Sequence, residues 1–169
     1  MSDHDSAAAL RRAFDASFAS PPASKPVNLE GVLAIRIGVD PYAIRLSDVS
    51  GLMAGPRIVY VPSPVTQLLG IIGRRGVMAP VYDLAAMLNY PPAVSARWLV
   101  LVGEAGSVGF AFETFEAHVQ VPASSLGSVD GSAGTAPRGD VQGMTRAAGA
   151  LRPVIDMASL MRRLGSDNS

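Results

Sequence analysis

Residues 70–88 read GIIGRRGVMAPVYDLAAML, and residues 143–161 read GMTRAAGALRPVIDMASLM. Laid over each other at a constant offset (143 − 70 = 73), the two stretches match at Gly70/Gly143, Gly76/Gly149, Pro80/Pro153, Val81/Val154, Asp83/Asp156 and Ala85/Ala158. Several of the remaining pairs are apolar in both copies. Each shared residue has a physical role. Gly76 and Gly149 can supply the positive φ of a tight turn. Pro80 and Pro153 have no N–H to give to a ladder, which predicts a strand edge or a bulge. Asp83 and Asp156 precede short helical stretches, where a carboxylate accepts from the free N–H groups of the first turn. Arg162 and Arg163 suit the last turn of the second helix, and Gly165 suits its cap.

Outward from the repeat, the chain reads as short strands. Val32–Ile37 and Tyr42–Leu46 flank Gly38-Val39-Asp40-Pro41, a hairpin pattern. Val49–Met53 is short and ambiguous between strand and loop, and Ile58–Val61 is a strand candidate ended by Pro62 and Pro64. Leu68–Ile72 and Val77–Tyr82 flank Gly73-Arg74-Arg75-Gly76, and Leu84–Leu88 is a helical turn. Trp98–Val102 and Val108–Phe112 form a second hairpin around 103–107, Val119–Val121 is a further short strand, and 122–140 has loop composition. Val141–Arg146 and Leu151–Ile155 are strands, and Met157–Leu164 is a helix. Each repeat copy thus follows a hairpin, which predicts two halves of similar strand–turn–strand–helix content. Short strands with Gly/Pro turns point to barrels or a sandwich, not a parallel sheet.

Residues 1–26 are different. Leu10, Ala13, Phe14 and Phe18 recur at helical spacing, Asp5 or Ser6 can cap, and Ser20-Pro21-Pro22 ends the run. This segment reads as a tail with a short amphipathic helix, either packed on its own domain or docking into a partner's groove.

Composition narrows the function classes. The 169 residues carry no cysteine, so there is no disulfide framework, thiol nucleophile or thiolate metal site. Fourteen basic residues balance fourteen acidic ones, which argues against an electrostatic footprint for nucleic acid or membrane. Charged residues make up 17%, below the roughly 25% usual for a globular domain. No apolar run approaches the roughly 20 residues of a membrane helix, and the N-terminus has no secretory pattern. A cytoplasmic location is expected.

Chemistry finds little to use. Asp83 and Asp156 invite comparison with an aspartic-protease pair. They are followed by Leu84-Ala85 and Met157-Ala158 instead of Thr-Gly or Ser-Gly, and capping accounts for both. His4 lies in the tail and His118 in 115–121, apart from any cluster with metal-ligand spacing. Gly70–Gly76 lacks the Lys-Ser/Thr of a phosphate loop. No catalytic residue, cofactor or metal is assigned.

The same residues resemble the CheW-like domain family. Its pattern has a hairpin ending Tyr-Ala-Ile-Pro, then Val-x-Glu, prolines, Gly-Val-Ile-Asn-Leu-Arg-Gly, Pro-Val-x-Asp-Leu, and a late Asp before a last helix. Here stand Tyr42-Ala43-Ile44, Val49, Pro62, Pro64, Gly70 to Gly76, Pro80 to Leu84 and Val154-Ile155-Asp156. The resemblance covers about 30–164, placing the domain at 27–169. It implies a mainly β fold of two intertwined SH3-like five-stranded barrels with short helices. It implies a non-enzymatic adaptor that couples a CheA-type histidine kinase, through the kinase's regulatory domain, to the cytoplasmic tips of chemoreceptors. The protein would then sit at receptor arrays through its partners. By motif position, Val49, Gly70 and Arg75 fall where coupling is concentrated. The chain departs from the pattern at Arg45 (for Pro), Gly51 (for Glu), Gly73-Arg74 (for Asn-Leu), and in one extra residue between Pro64 and Gly70. Val49, Gly51, Gly70, Arg74 and Arg75 are therefore the candidate partner-binding residues, with Arg75 expected to matter more than Arg74. The departures keep open an accessory adaptor that binds the kinase but no ordinary receptor, and a generic small-barrel peptide-binding module.

Overall fold

The structure is a computed structural model and describes residues 26–127 and 140–166. The amphipathic tail segment and most of the 122–140 loop lie outside the described residues. Ten strands follow in order: β1 Leu29–Ile37, β2 Asp40–Arg45, β3 Val49–Ala54, β4 Leu68–Arg74, β5 Val77–Asp83, β6 Trp98–Val102, β7 Val108–Phe112, β8 Thr114–Pro122, β9 Val141–Ala147 and β10 Ala150–Ile155. Helix α1, Leu84–Met87, follows β5, and helix α2, Met157–Ser166, follows β10.

The strands form two five-stranded sheets, ordered β8-β1-β2-β10-β9 and β3-β6-β7-β5-β4. The second, the inserted sheet, comes from one continuous stretch, 49–112. The first, the split sheet, is assembled from both sides of that insertion. The two units are therefore interleaved along the chain and not sequential. The first hairpin, β1–β2, shares its sheet with the second repeat copy through parallel pairing of β10 to β2. The second hairpin, β6–β7, shares its sheet with the first copy through parallel pairing of β5 to β7. The strand after each hairpin crosses to the other sheet: β3 pairs with β6, and β8 pairs with β1. Among the described residues no ladder joins the two outer strands of either sheet.

This exchange explains the continuous apolar runs. In β6, Leu99 and Leu101 face the inserted sheet's own core with Ile72, Val81 and Ala111, while Val100 and Val102 face a shared core. In β1, Val32 faces the split sheet's core with Val121 and Val154, while Leu33, Ile35 and Ile37 face the shared one. A strand buried on both faces reads as unbroken hydrophobic sequence. The shared core also takes Leu84, Met87, Met157 and Leu160 from the helices, binding the two sheets into one unit.

The repeat's conserved positions now have local reasons. The turn between β4 and β5 is two residues, Arg75 (φ 50°) and Gly76 (φ 80°), and that between β9 and β10 is Ala148 (φ 47°) and Gly149 (φ 74°). Positive φ at both central positions is the type I′ geometry that matches strand twist. Pro80 and Pro153 stand in strands with neighbours on both sides, not at sheet edges. Parallel pairing begins only at Val81 and Val154, and the antiparallel partners bulge at the adjoining pairs, so each proline sits just outside the parallel ladder.

Other boundaries moved. Val49–Met53 is strand β3, and Ile58–Val61 contributes only a bridge between Val59 and Ile71. Val119–Val121 is the end of the nine-residue β8, whose inward residues Phe115, Ala117, Val119 and Val121 alternate with exposed ones. Helix α2 includes Gly165, so that glycine is no cap; Arg163 instead donates to the Met87 carbonyl at 3.3 Å and pairs with Asp140.

Candidate partner-docking site

Gly70 has φ 152°, and a Cβ there would stand 2.1 Å from the Val59 carbonyl oxygen. Its missing side chain lets the incoming segment close on β4, with Val59 N–H donating to the Ile71 carbonyl at 2.8 Å and Ile71 N–H to Val59 at 2.9 Å. Gly143 does the same in the other sheet, where a Cβ would meet the Gly127 carbonyl oxygen at 2.8 Å. Gly70 is thus a backbone-packing position, beneath the site and not on its surface.

The structure brings Gly51 and Arg74 together, although they lie on the two outer strands of the inserted sheet. A Cβ on Gly51 would be 3.4 Å from one terminal nitrogen of Arg74 and 3.5 Å from Leu101 Cδ1. Gly51 and Arg74 are therefore neighbours in space, at a separation where a Cβ on Gly51 would make ordinary van der Waals contact with the guanidinium. Arg75, next along, is exposed in the turn. Val49 is half-buried against the shared core and pairs with Val102. Arg45 is used elsewhere, donating to the Leu126 carbonyl at 3.0 Å and lying 3.9 Å from the Glu30 carboxylate.

Beside this site, the start of β5 and the segment bridged to β4 present exposed apolar side chains. Val59 pairs with Ile71, and Met78 pairs with Gly73 two residues further along the same face of β4. Met78 is 63% and Tyr60 75% exposed, and Val59 and Val77 are also open to solvent.

Asp83 and Asp156 each cap their own helix. Asp83 is buried and accepts from the N–H of Ala85 (2.9 Å), Ala86 (3.4 Å) and, through its other oxygen, Ala93 (2.8 Å). Asp156 accepts from Ser159 N–H at 3.0 Å. Both carboxylates are engaged by backbone donors of their own segments. Among the described residues no group of three or more His, Asp or Glu could hold a metal, and no helix is long and apolar enough to cross a membrane.

Reading the sequence missed one charged group altogether. Arg152 is 1% exposed inside the split sheet. It donates to the carbonyls of Ala147 (2.8 Å), Ile35 (2.9 Å) and Tyr42 (3.3 Å), and pairs with Glu116. The repeat held the clue: Arg152 aligns with Ala79 on the inward face of its strand, two residues before Val154.

Two exchanged five-stranded sheets with capped short helices define a small, mainly β domain built on an internal repeat. The family model of the CheW-like domain matches residues 31–165, and the chain belongs to that family. It is 30% identical over 74 residues to a Rhizobium etli protein named "Probable chemotaxis protein CheW", a match covering 43% of this chain and 48%, about half, of that relative. The crystal structure of the scaffolding protein TtCheW from Thermoanaerobacter tengcongensis is similar in fold, with TM-score 0.66 and 17% identity over 78% of this chain and 91% of that one.

Proposed function

We propose that this chain is a non-enzymatic coupling adaptor of a chemosensory array, binding the regulatory domain of a CheA-type histidine kinase and, more weakly, the cytoplasmic tip of a chemoreceptor. The observation that carries the kinase contact is the exposed apolar edge of the inserted sheet, Val59, Tyr60, Val77 and Met78. These residues sit where β5 runs free before its pairing to β7 begins at Val81, and on the segment bridged to β4; such a patch suits end-to-end docking of a second, similar β unit, because apolar burial stabilises without demanding charge matching. Val49, Arg74 and Arg75 lie at the same end of the sheet and are assigned to the receptor side. The absence of a carboxylate at Gly51 removes a potential charge-assisted acceptor, which is worth about 1.5–3 kcal/mol. Receptor affinity is therefore expected to be the weaker of the two.

Calorimetry with the kinase regulatory domain and a receptor tip from the same organism tests this. The kinase domain should bind more tightly, and Met78→Asp should weaken it at least about tenfold without changing the fold. No kinase binding at concentrations far above micromolar, alongside tight receptor binding, reverses the order. Binding to neither partner removes the adaptor reading.

A further inference from the structure

Resting on that reading, we propose that Arg74, lying over Gly51 at the mouth of the inserted sheet, accepts a carboxylate supplied in trans by an Asp or Glu of the chemoreceptor tip. Arg74 follows Ile72 by two residues in β4, so it shares the inward face with a side chain of that sheet's core. Leu101, of the same core, lies beneath the Gly51 position. Arg74 thus lies across the open end of an apolar interior, half-buried as a residue. Among the described residues its side chain makes no ion pair and no hydrogen bond.

The split sheet contains an analogous arginine–acid pair, although its arginine, Arg152, stands on an inner strand and aligns with Ala79, not with Arg74. Ala117 of β8 faces Ala34 of β1, and Gly51 of β3 faces Leu101 of β6; in both ladders the register shifts beside that pair. The extra residue is Glu116 in one and Ser50 in the other. Glu116 supplies the carboxylate that holds Arg152. Ser50 has none, and its hydroxyl donates to the Gly103 carbonyl at 2.6 Å. Each sheet therefore places one arginine inside its end, beside a bulged outer strand, and only the split sheet provides the acid. Among the described residues no Arg74 nitrogen is a fully buried orphan, so the guanidinium keeps access to water, and a carboxylate brought by a partner exchanges that water for a strong charge-assisted bond. The surrounding charge favours an acidic visitor. Segment 49–112 carries Arg57, Arg74, Arg75 and Arg97 against Glu104 and the buried Asp83. Of the apolar residues proposed for the kinase, Met78 stands opposite Gly73 on the other face of β4, whereas Val77 pairs with Arg74 itself, so Met78 is the residue that separates the two contacts. The geometry shifts the weight of receptor coupling from Arg75 to Arg74.

Calorimetry and thermal melts on the full chain test this with the same receptor tip and kinase domain. Arg74→Glu should lower tip affinity at least tenfold, keep kinase-domain affinity within twofold, and recover with a tip carrying one Asp or Glu changed to Lys. Gly51→Glu supplies the acid in cis. It should raise the melting temperature by about 2–4 °C and weaken tip binding, and both effects should vanish in Gly51→Glu combined with Arg74→Leu. A tip that binds wild type, Arg74→Glu and Gly51→Glu equally overturns the proposal, as does a wild-type protein that binds the kinase domain and no tip. Wild type that binds neither partner overturns the adaptor reading, and this inference with it.

Discussion

Arg152 reaches Glu116 from inside the split sheet, and the same carboxylate accepts from Arg36 Nε at 2.7 Å on its outer side. One acid thus joins a buried arginine to a surface one and pins β8 to β1 and β10. Its carboxyl is held below the usual range. The hydrogen bond from Arg36 is the main cause, partial burial opposes it, and the bond from Arg152 adds to the lowering. A buried arginine is stable here because carbonyl oxygens take its remaining donors.

Glu116→Ala should destabilise by about 2–3 kcal/mol. That is below the roughly 3–5 kcal/mol of a fully broken buried pair, because the Ala147, Ile35 and Tyr42 carbonyls still hold Arg152. Urea unfolding followed by circular dichroism measures the loss. A change under 0.5 kcal/mol, as an order-of-magnitude threshold for surface substitutions, would mean that the pair is mechanically idle.

The same group sets an acid limb. A folded-state pKa below the unfolded one stabilises fully above the ordinary carboxylate range, near about 4.3, and that stability disappears as pH falls through the folded value. Asp48 titrates in the opposite sense, since burial raises its carboxyl above the ordinary value. The signature is therefore a difference. Between about pH 3 and 6, the gap in melting temperature between wild type and Glu116→Gln should narrow as pH falls. A constant gap would refute the linkage.

The two caps are not equal. Asp83 is buried and takes three backbone N–H groups, whereas Asp156 is partly exposed and takes that of Ser159. Asp83→Ala should cost about 2 kcal/mol and Asp156→Ala about 1 kcal/mol, within the range of lost N-caps. Thermal melts rank them; an inverted order would show that the bond to Ala93 adds nothing. Peptide hydrolysis that vanishes in both variants would contradict the adaptor reading.

Two glycines of one strand should respond differently. Gly70→Ala drives a methyl into the Val59 carbonyl and should cost about 2–3 kcal/mol. At Gly73 a Cβ meets only Met78 Sδ, at 3.7 Å, so Gly73→Ala should be near neutral. If coupling falls in Gly70→Ala at full stability, Gly70 acts at the partner surface and not through packing.

If Leu10, Phe14 and Phe18 form a docking face, deleting residues 1–24 should leave the domain folded and weaken one partner interaction. A large fall in melting temperature would place that segment on its own domain; unchanged binding to every partner would leave it without a docking role.

Local chemistry was legible in the sequence. The type I′ turns at Gly76 and Gly149, the caps at Asp83 and Asp156, and nearly every strand follow from residue types acting within a few positions. The spacing of 73 between the copies revealed a duplication for the same reason. What stayed hidden depends on partners far apart in the chain. Nothing in a hairpin's own residues says which repeat copy it will pair with, so the exchange of β1–β2 and β6–β7 emerged only from the shared core that it creates. Arg152 looks like an ordinary strand arginine until β8 delivers Glu116 beside it. Gly51 and Arg74 are separate departures in the sequence and become one site because the sheet curls its outer strands toward each other. Propensities and caps are short-range and are written in neighbouring residues; the placement of a charge over a glycine 23 positions away (74 − 51 = 23) is a property of register and sheet curvature, which only the folded chain sets.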